Sequence, residues 1–116
     1  MTPEELNTYT ILQEELTRAK DYSQAGDFNS LFLGAETINA ALAYLTDALI
    51  RYEQAYRLTI LKFQEKGDSH AKAENKAKTL VEYQRYRKLS LIYERGEEQI
   101  KIIKKFRDVL GEEYKR

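Results

Sequence analysis

The residues with the clearest capacity for chemistry lie in the stretch YQRYRK, residues 83–88, where aromatic and basic side chains alternate. Aromatic rings stack on bases and cations pair with phosphates, so such a stretch is typical of surfaces that bind single-stranded nucleic acid. Three lysines upstream extend its basic character. The candidate contact residues are Lys72, Lys76, Lys78, Tyr83, Arg85, Tyr86, Arg87 and Lys88.

Two features weaken the case for nucleic acid. Glu74 and Glu82 interrupt the basic stretch. A single helix would also distribute the eight candidate residues around several of its faces. Charges that are balanced and interspersed more often mark a solvated helix face. Nucleic-acid binding is therefore the alternative interpretation rather than the favoured one.

Residues suited to catalysis or metal binding are sparse. His70 is the single histidine, and the chain has no cysteine, which excludes a triad based on histidine, a site with several histidines and thiol chemistry within one chain. Glu94, Glu97 and Glu98 form a carboxylate cluster, but their spacing favours a solvated face on which Glu97 pairs with Lys101. We find no phosphate loop, zinc spacing or nucleophile motif. The sequence predicts a protein that is not an enzyme, with no catalytic, cofactor-binding or metal-binding residues.

The nine tyrosines offer a different kind of chemistry. Tyrosine provides contact area and a hydrogen bond together, which suits protein interfaces. The other interpretation is that the rings pack at the edge of the core with their hydroxyls in water. The candidate interface residues with another chain are Tyr44, Ala48, Tyr52, Ala55 and Leu58.

The central helix must position those interface residues. From Ile38 to Phe63, apolar residues and Thr59 recur at alternating steps of four and three, which predicts a heptad seam. A second apolar stripe lies beside the seam, so this helix needs neighbours on two sides. We predict an all-α fold in one domain, residues 1–116: a long antiparallel helical hairpin with an additional N-terminal helix, resembling a three-helix bundle or coiled coil.

The predicted helices cover residues 3–24, 31–66 and 69–110, and a break in the third would fall near residue 79. Thr2 and Glu5 form a capping box for the first helix. Gly67 suits a left-handed helix end, and Asp68 or Ser69 can cap the next helix. Gly96 falls on the apolar stripe of the third helix, which predicts a close helix contact or a kink. The segment AKAENKAKT, residues 71–79, is expected to be helical and largely solvated, so that it buries little.

Charge is distributed unevenly, although the formal net charge is zero. Residues 1–70 hold 6 basic and 11 acidic side chains, and residues 71–116 hold 13 basic and 8 acidic ones. This asymmetry permits antiparallel association of two copies, with the acidic half of one against the basic half of the other. No apolar run approaches the length of a membrane span, and the N-terminus lacks the features of a signal peptide, so we expect a cytoplasmic protein without a membrane association.

Four segments carry a resemblance to known proteins: YEQAYR (52–57), KFQEKGDSHAKAENKAKT (62–79), VEYQRYRK (81–88) and EEQIKIIKKFRDVL (97–110). Over residues 49–110 the chain resembles small helical-hairpin proteins of unassigned function from the early regions of tailed-phage genomes. The resemblance implies a helical hairpin, a gene near recombination or single-strand-annealing genes, and the host cytoplasm as the compartment. It carries over no catalytic residue.

These observations favour a non-enzymatic protein-interaction module. In a phage, such a module would be an accessory factor that binds a host or phage protein. We expect the chain to form a homo-oligomer. The alternative is a nucleic-acid-binding accessory protein of phage replication or recombination.

Overall fold

The chain folds into four α-helices, as a computed structural model shows for the backbone of residues 1–115 and the side chains of residues 1–111. The helices are α1 (Pro3–Ala25), α2 (Phe28–Glu65), α3 (His70–Ala77) and α4 (Val81–Lys115). No strand occurs in this part of the chain. The prediction of an all-α fold is confirmed. None of the helices described here combines the length and the apolar character that a bilayer crossing requires.

Local capping chemistry sets the ends of α1. Thr2 and Glu5 form the predicted capping box: the Thr2 hydroxyl accepts from the Glu5 amide at 3.1 Å, and the Glu5 carboxylate accepts from the Thr2 amide at 3.1 Å. Gly26 ends α1 in the left-handed region at φ 72°, which costs a glycine little. Asp27 then caps α2 by accepting from the Ser30 amide. Because of this cap, α2 begins at Phe28, ahead of the predicted start at residue 31.

The central element is α2, which has 38 residues and contacts all three other helices. Its length of about 57 Å accounts for most of the longest dimension of the molecule, 65 Å. The main core forms where α1 and α4 pack on α2 and on each other. Its fully buried larger side chains are Leu12, Leu31, Ile38, Leu45, Leu89 and Ile103.

An antiparallel pairing of α4 with α2 extends along most of α2. Phe106 packs on Phe28 with ring centroids 5.7 Å apart, and the hydroxyl of Tyr93 lies 3.1 Å from that of Thr46. Between these contacts, a Cβ added to Gly96 would lie 2.7 Å from Leu42 Cδ2. The close helix contact predicted at Gly96 is therefore present.

The turn after α2 reverses the chain within four residues. Gly67 adopts φ 104°, in the left-handed region, and Ser69 caps α3 by accepting from the Lys72 amide at 3.3 Å. Residues 78–80 then separate α3 from α4.

Residues 71–77 are helical and most of residues 71–79 are exposed, as expected, but the expectation that the segment buries little is wrong at two alanines. Ala73 and Ala77 have no exposed surface, and they pack with Ile60, Tyr56 and Phe63 in a second, smaller core. The physical reason is the size of alanine. Two small side chains four residues apart on one face of a short helix allow its backbone to approach α2 closely.

Candidate functional site

The two tyrosines of the basic stretch pack against a tyrosine of another helix. The rings of Tyr83 and Tyr86 lie on the ring of Tyr56 of α2, with centroids 5.0 and 5.6 Å apart and planes tilted by 48° and 36°. Burial of Tyr56 raises the pKa of its hydroxyl, because the charged phenolate is disfavoured there. All three side chains are partly buried. Their rings therefore serve the contact between α2 and α4, and a nucleic-acid base would have to compete with Tyr56.

The three candidate lysines upstream of YQRYRK pair with acidic residues in or just before α3. Lys76 donates to the Asp68 carboxylate at 2.7 Å, and Lys72 lies 3.6 Å from it. The hydrogen bond from Lys76 and the two positive charges hold the pKa of Asp68 below its ordinary value. Lys78 lies 3.2 Å from Glu74, and this contact raises the pKa of Lys78. These acids partly neutralise the charge that would attract phosphates.

The remaining three cations do not form a continuous track. Lys88 lies over the ring of Tyr9 of α1, with its Nζ 4.9 Å from the ring centroid. Arg85 and Arg87 are exposed, and within the described residues neither forms an ion pair. They are two residues apart on α4 and so project to nearly opposite sides of the helix. The eight candidate residues are thus close in sequence without forming one basic surface.

The five residues proposed as an interface with another chain also separate. Ala48 is 1% exposed and lies in the main core, and the Tyr52 hydroxyl donates to Glu5 of α1 at 2.6 Å. The prediction that Ala48 faces another chain is wrong, because packing within this chain buries its side chain, and the hydroxyl of the partly buried Tyr52 is already bound to Glu5. Ala55 is partly buried, while Tyr44 and Leu58 are half exposed.

A row of exposed, mostly apolar residues remains on the side of α2 that faces away from the core. We call it the outer face of α2, and it consists of Ala40, Ala43, Tyr44, Asp47, Ile50, Gln54, Leu58 and Leu61, all exposed. Four of these have large apolar side chains, and their exposed fractions are 50% for Tyr44, 47% for Ile50, 56% for Leu58 and 52% for Leu61. Ala43 and Tyr44 are adjacent in sequence, and the other successive positions of the face are three or four residues apart. The residues therefore lie along one side of the helix.

Tyr44 and Leu58 of this face are among the predicted interface residues, and the sequence held a signal for the other positions that we did not use. Positions 40, 43, 47, 50, 54, 58 and 61 follow the same steps of three and four as the core seam. Asp47 and Gln54 interrupt the apolar pattern at its centre. A search for uninterrupted apolar stripes therefore misses it.

A buried carboxylate joins α1 to α2 near the middle of the molecule. Glu5 is 3% exposed, and besides the Thr2 amide it accepts hydrogen bonds from the Tyr52 hydroxyl and the Arg51 guanidinium. Burial alone would raise the pKa of Glu5, but the hydrogen bonds from Tyr52, Arg51 and Thr2 outweigh burial and lower it. Burial and the hydrogen bond to Glu5 raise the pKa of Tyr52. A carboxylate with this many donors is suited to holding α1 in place.

Carboxylates elsewhere in the described residues do not gather into a set that could hold a metal ion. No group of three or more histidine, cysteine, aspartate or glutamate residues is arranged for coordination there. Glu94, Glu97 and Glu98 are all exposed on α4.

Comparison with known proteins adds no relative. The chain matches no family model, no curated protein and no solved structure. Functional inference therefore depends on the surfaces described above.

Proposed function

We propose that this chain is a non-enzymatic protein-interaction module that binds protein through the outer face of α2. The observation that carries the proposal is the set of half-exposed large apolar side chains at Tyr44, Ile50, Leu58 and Leu61. From Ala40 to Leu61 the face is ~32 Å long and about 10 Å wide, or roughly 300 Å². Exposed large apolar side chains along one helix face are typical of interaction surfaces, because burying them in a complex is favourable.

The charged and aromatic residues elsewhere support the same proposal. The rings of Tyr83 and Tyr86 pack on Tyr56, and three of the candidate lysines are paired with Asp68 or Glu74. These contacts make the basic residues less suited to bind nucleic acid, which favours a protein partner. Given the resemblance to early phage proteins, the proposed role is that of an accessory factor in the cytoplasm of a host cell.

Site-specific photo-cross-linking tests this function. A photoreactive phenylalanine derivative replaces Leu58 of α2 in one variant and Glu14, an exposed residue of α1, in a matched control. We expect discrete protein adducts from position 58 in cells that normally make the protein, and none from position 14. Equal adducts from the two positions, or none from position 58, would contradict the proposal.

A binding titration tests the nucleic-acid alternative. At ~0.15 M salt we expect no measurable binding to a single strand or duplex of ~30 nucleotides, because the candidate lysines are already paired. Micromolar binding with a log–log salt slope steeper than about −2 would favour the alternative. That binding would also have to be weakened by Arg85→Ala and by Tyr83→Ala.

A further inference from the structure

The outer face of α2 has small side chains at one end and large ones at the other. Ala40 and Ala43 lie toward the start of α2, and Leu58 and Leu61 lie toward its end; all four are exposed. A partner that matches this face needs bulky residues opposite the alanines and small residues opposite the leucines. A second copy of the same face meets that requirement when it runs in the opposite direction.

We propose that the protein bound by this face is a second copy of the chain, paired antiparallel along α2 in a twofold-symmetric dimer. The inference rests on the function proposed above and names its partner. The register that sets Ala43 opposite the partner's Leu58 also sets Ala40 opposite the partner's Leu61. Because the interface is isologous, each of these contacts occurs twice.

Polar residues of the face fit the same register. Asp47 lies opposite the partner's Gln54, whose amide can donate to the carboxylate. The twofold axis then passes between Ile50 and Arg51. Size and hydrogen bonding thus agree on one alignment.

One pair at each end of the face is unfavourable in this register. Glu36, which is exposed, lies opposite the partner's Glu65, also exposed. Like charges in an interface weaken association. The contact surface of roughly 300 Å² per copy is also well below that of a standard stable interface. The dimer is therefore a weak one, with a dissociation constant on the order of micromolar.

Sedimentation velocity over a range of protein concentrations tests the dimer. Leu58→Glu should raise the dissociation constant at least tenfold, since the new carboxylate would be buried beside alanine. The matched control is Leu6→Glu, which makes the same change at an exposed leucine of α1 and should leave association unchanged. Glu36→Lys should lower the dissociation constant severalfold, because it converts the repulsive end pairs into attractive ones.

Chemical cross-linking tests the direction of pairing in a chain that contains no cysteine of its own. A short bis-maleimide should link two copies of the double variant Ala43→Cys, Leu58→Cys, since paired helix axes lie about 8–10 Å apart. Within one chain these positions are ~22 Å apart along α2, so the link must join two chains. The single variant Leu58→Cys should not cross-link, whereas in a parallel dimer it would.

Efficient cross-linking of the single variant would overturn the antiparallel register. If the chain stays monomeric at protein concentrations up to about 100-fold above the expected micromolar dissociation constant, the proposed dimer is wrong. If the monomeric chain still gives adducts with another protein from position 58, the proposed function survives without this inference. If it gives none, both are wrong.

Discussion

The two ends of α2 are packed by different means. Toward its start, Leu31, Ile38 and Leu45 are fully buried in the main core together with Leu12 of α1. Toward its end, Ile60 is buried with two alanines of α3 in the smaller core. The first region is stabilised by a large buried apolar area, and the second by close approach of a short helix. Removing side-chain volume should therefore damage the first region most, and adding volume should damage the second.

Leu45→Ala in the main core is expected to have the largest effect. Leu45 has no exposed surface, so the change removes buried methyl groups and leaves a cavity. We expect a loss of about 3 kcal/mol in the free energy of unfolding, measured by urea denaturation. Leu61→Ala on the outer face of the same helix is the control and should cost less than about 0.5 kcal/mol. Equal losses would mean that the main core does not dominate stability.

Glu5→Gln tests the polar contact at the edge of the main core. Replacing the ionised acceptor of the Arg51 and Tyr52 hydrogen bonds should cost about 1–3 kcal/mol at neutral pH. The pKa of Glu5 is lowered in the folded state, so its stabilisation is complete above the ordinary value near 4.5 and is lost as pH falls through the folded value.

The difference in unfolding free energy between the native chain and Glu5→Gln should therefore shrink from pH 7 to pH 3. Glu4→Gln is the control, because Glu4 is the exposed neighbour in the same helical turn. A difference that stays constant with pH would show that the carboxylate charge of Glu5 does not matter.

Ala73→Gln reverses the sequence-based expectation for α3. A longer polar side chain at a fully buried position must either push α3 away from Ile60 or remain buried without partners. We expect a loss of about 1–3 kcal/mol. In hydrogen exchange, protection should fall in residues 70–77 and persist in α1. Ala71→Gln, at an exposed position of the same helix, is the control. If hydrogen-exchange protection is unchanged in both variants, α3 does not pack on α2.

Gly67→Val should have the smallest effect of the four. At φ 104° a β-branched residue is strained, which costs about 1 kcal/mol or more. Nothing lies within 4 Å of a Cβ built at Gly67, so the cost is conformational and not a steric clash. Gly67→Ala should therefore recover only part of the loss in melting temperature. Full recovery by alanine would contradict the backbone explanation.

The sequence predicted those features that depend on local chemistry. The helical class follows from periodicity, the Thr2–Glu5 capping box from residues three apart, and the close contact at Gly96 from its position on an apolar stripe. The helical class and the capping box depend on neighbours along one helix, whose geometry is known in advance. For Gly96 the stripe indicated a close contact or a kink, and the packing of α2 on Gly96 decided between them.

Features that depend on how separate helices meet were not predictable in this way. Alanine carries little hydrophobic signal, so the predicted hairpin did not reveal that Ala73 and Ala77 of α3 are buried against α2. The contact of Tyr83 and Tyr86 with Tyr56 requires the position of a second helix. The same is true of the Glu5–Tyr52 hydrogen bond, which engages the Tyr52 hydroxyl within the chain.

The antiparallel contact of α4 along α2 has a consequence during synthesis on the ribosome. The chain is made from its N-terminus, so α1 and α2 can pair before α4 exists. At about 5–20 residues per second, the roughly 50 residues from the end of α2 to the end of α4 take about 3–10 s. Throughout that interval the side of α2 around Leu42, which later lies against Gly96, remains uncovered. The nascent hairpin therefore passes through a stage in which it can be captured by chaperones or can aggregate, and arrival of α4 ends that stage.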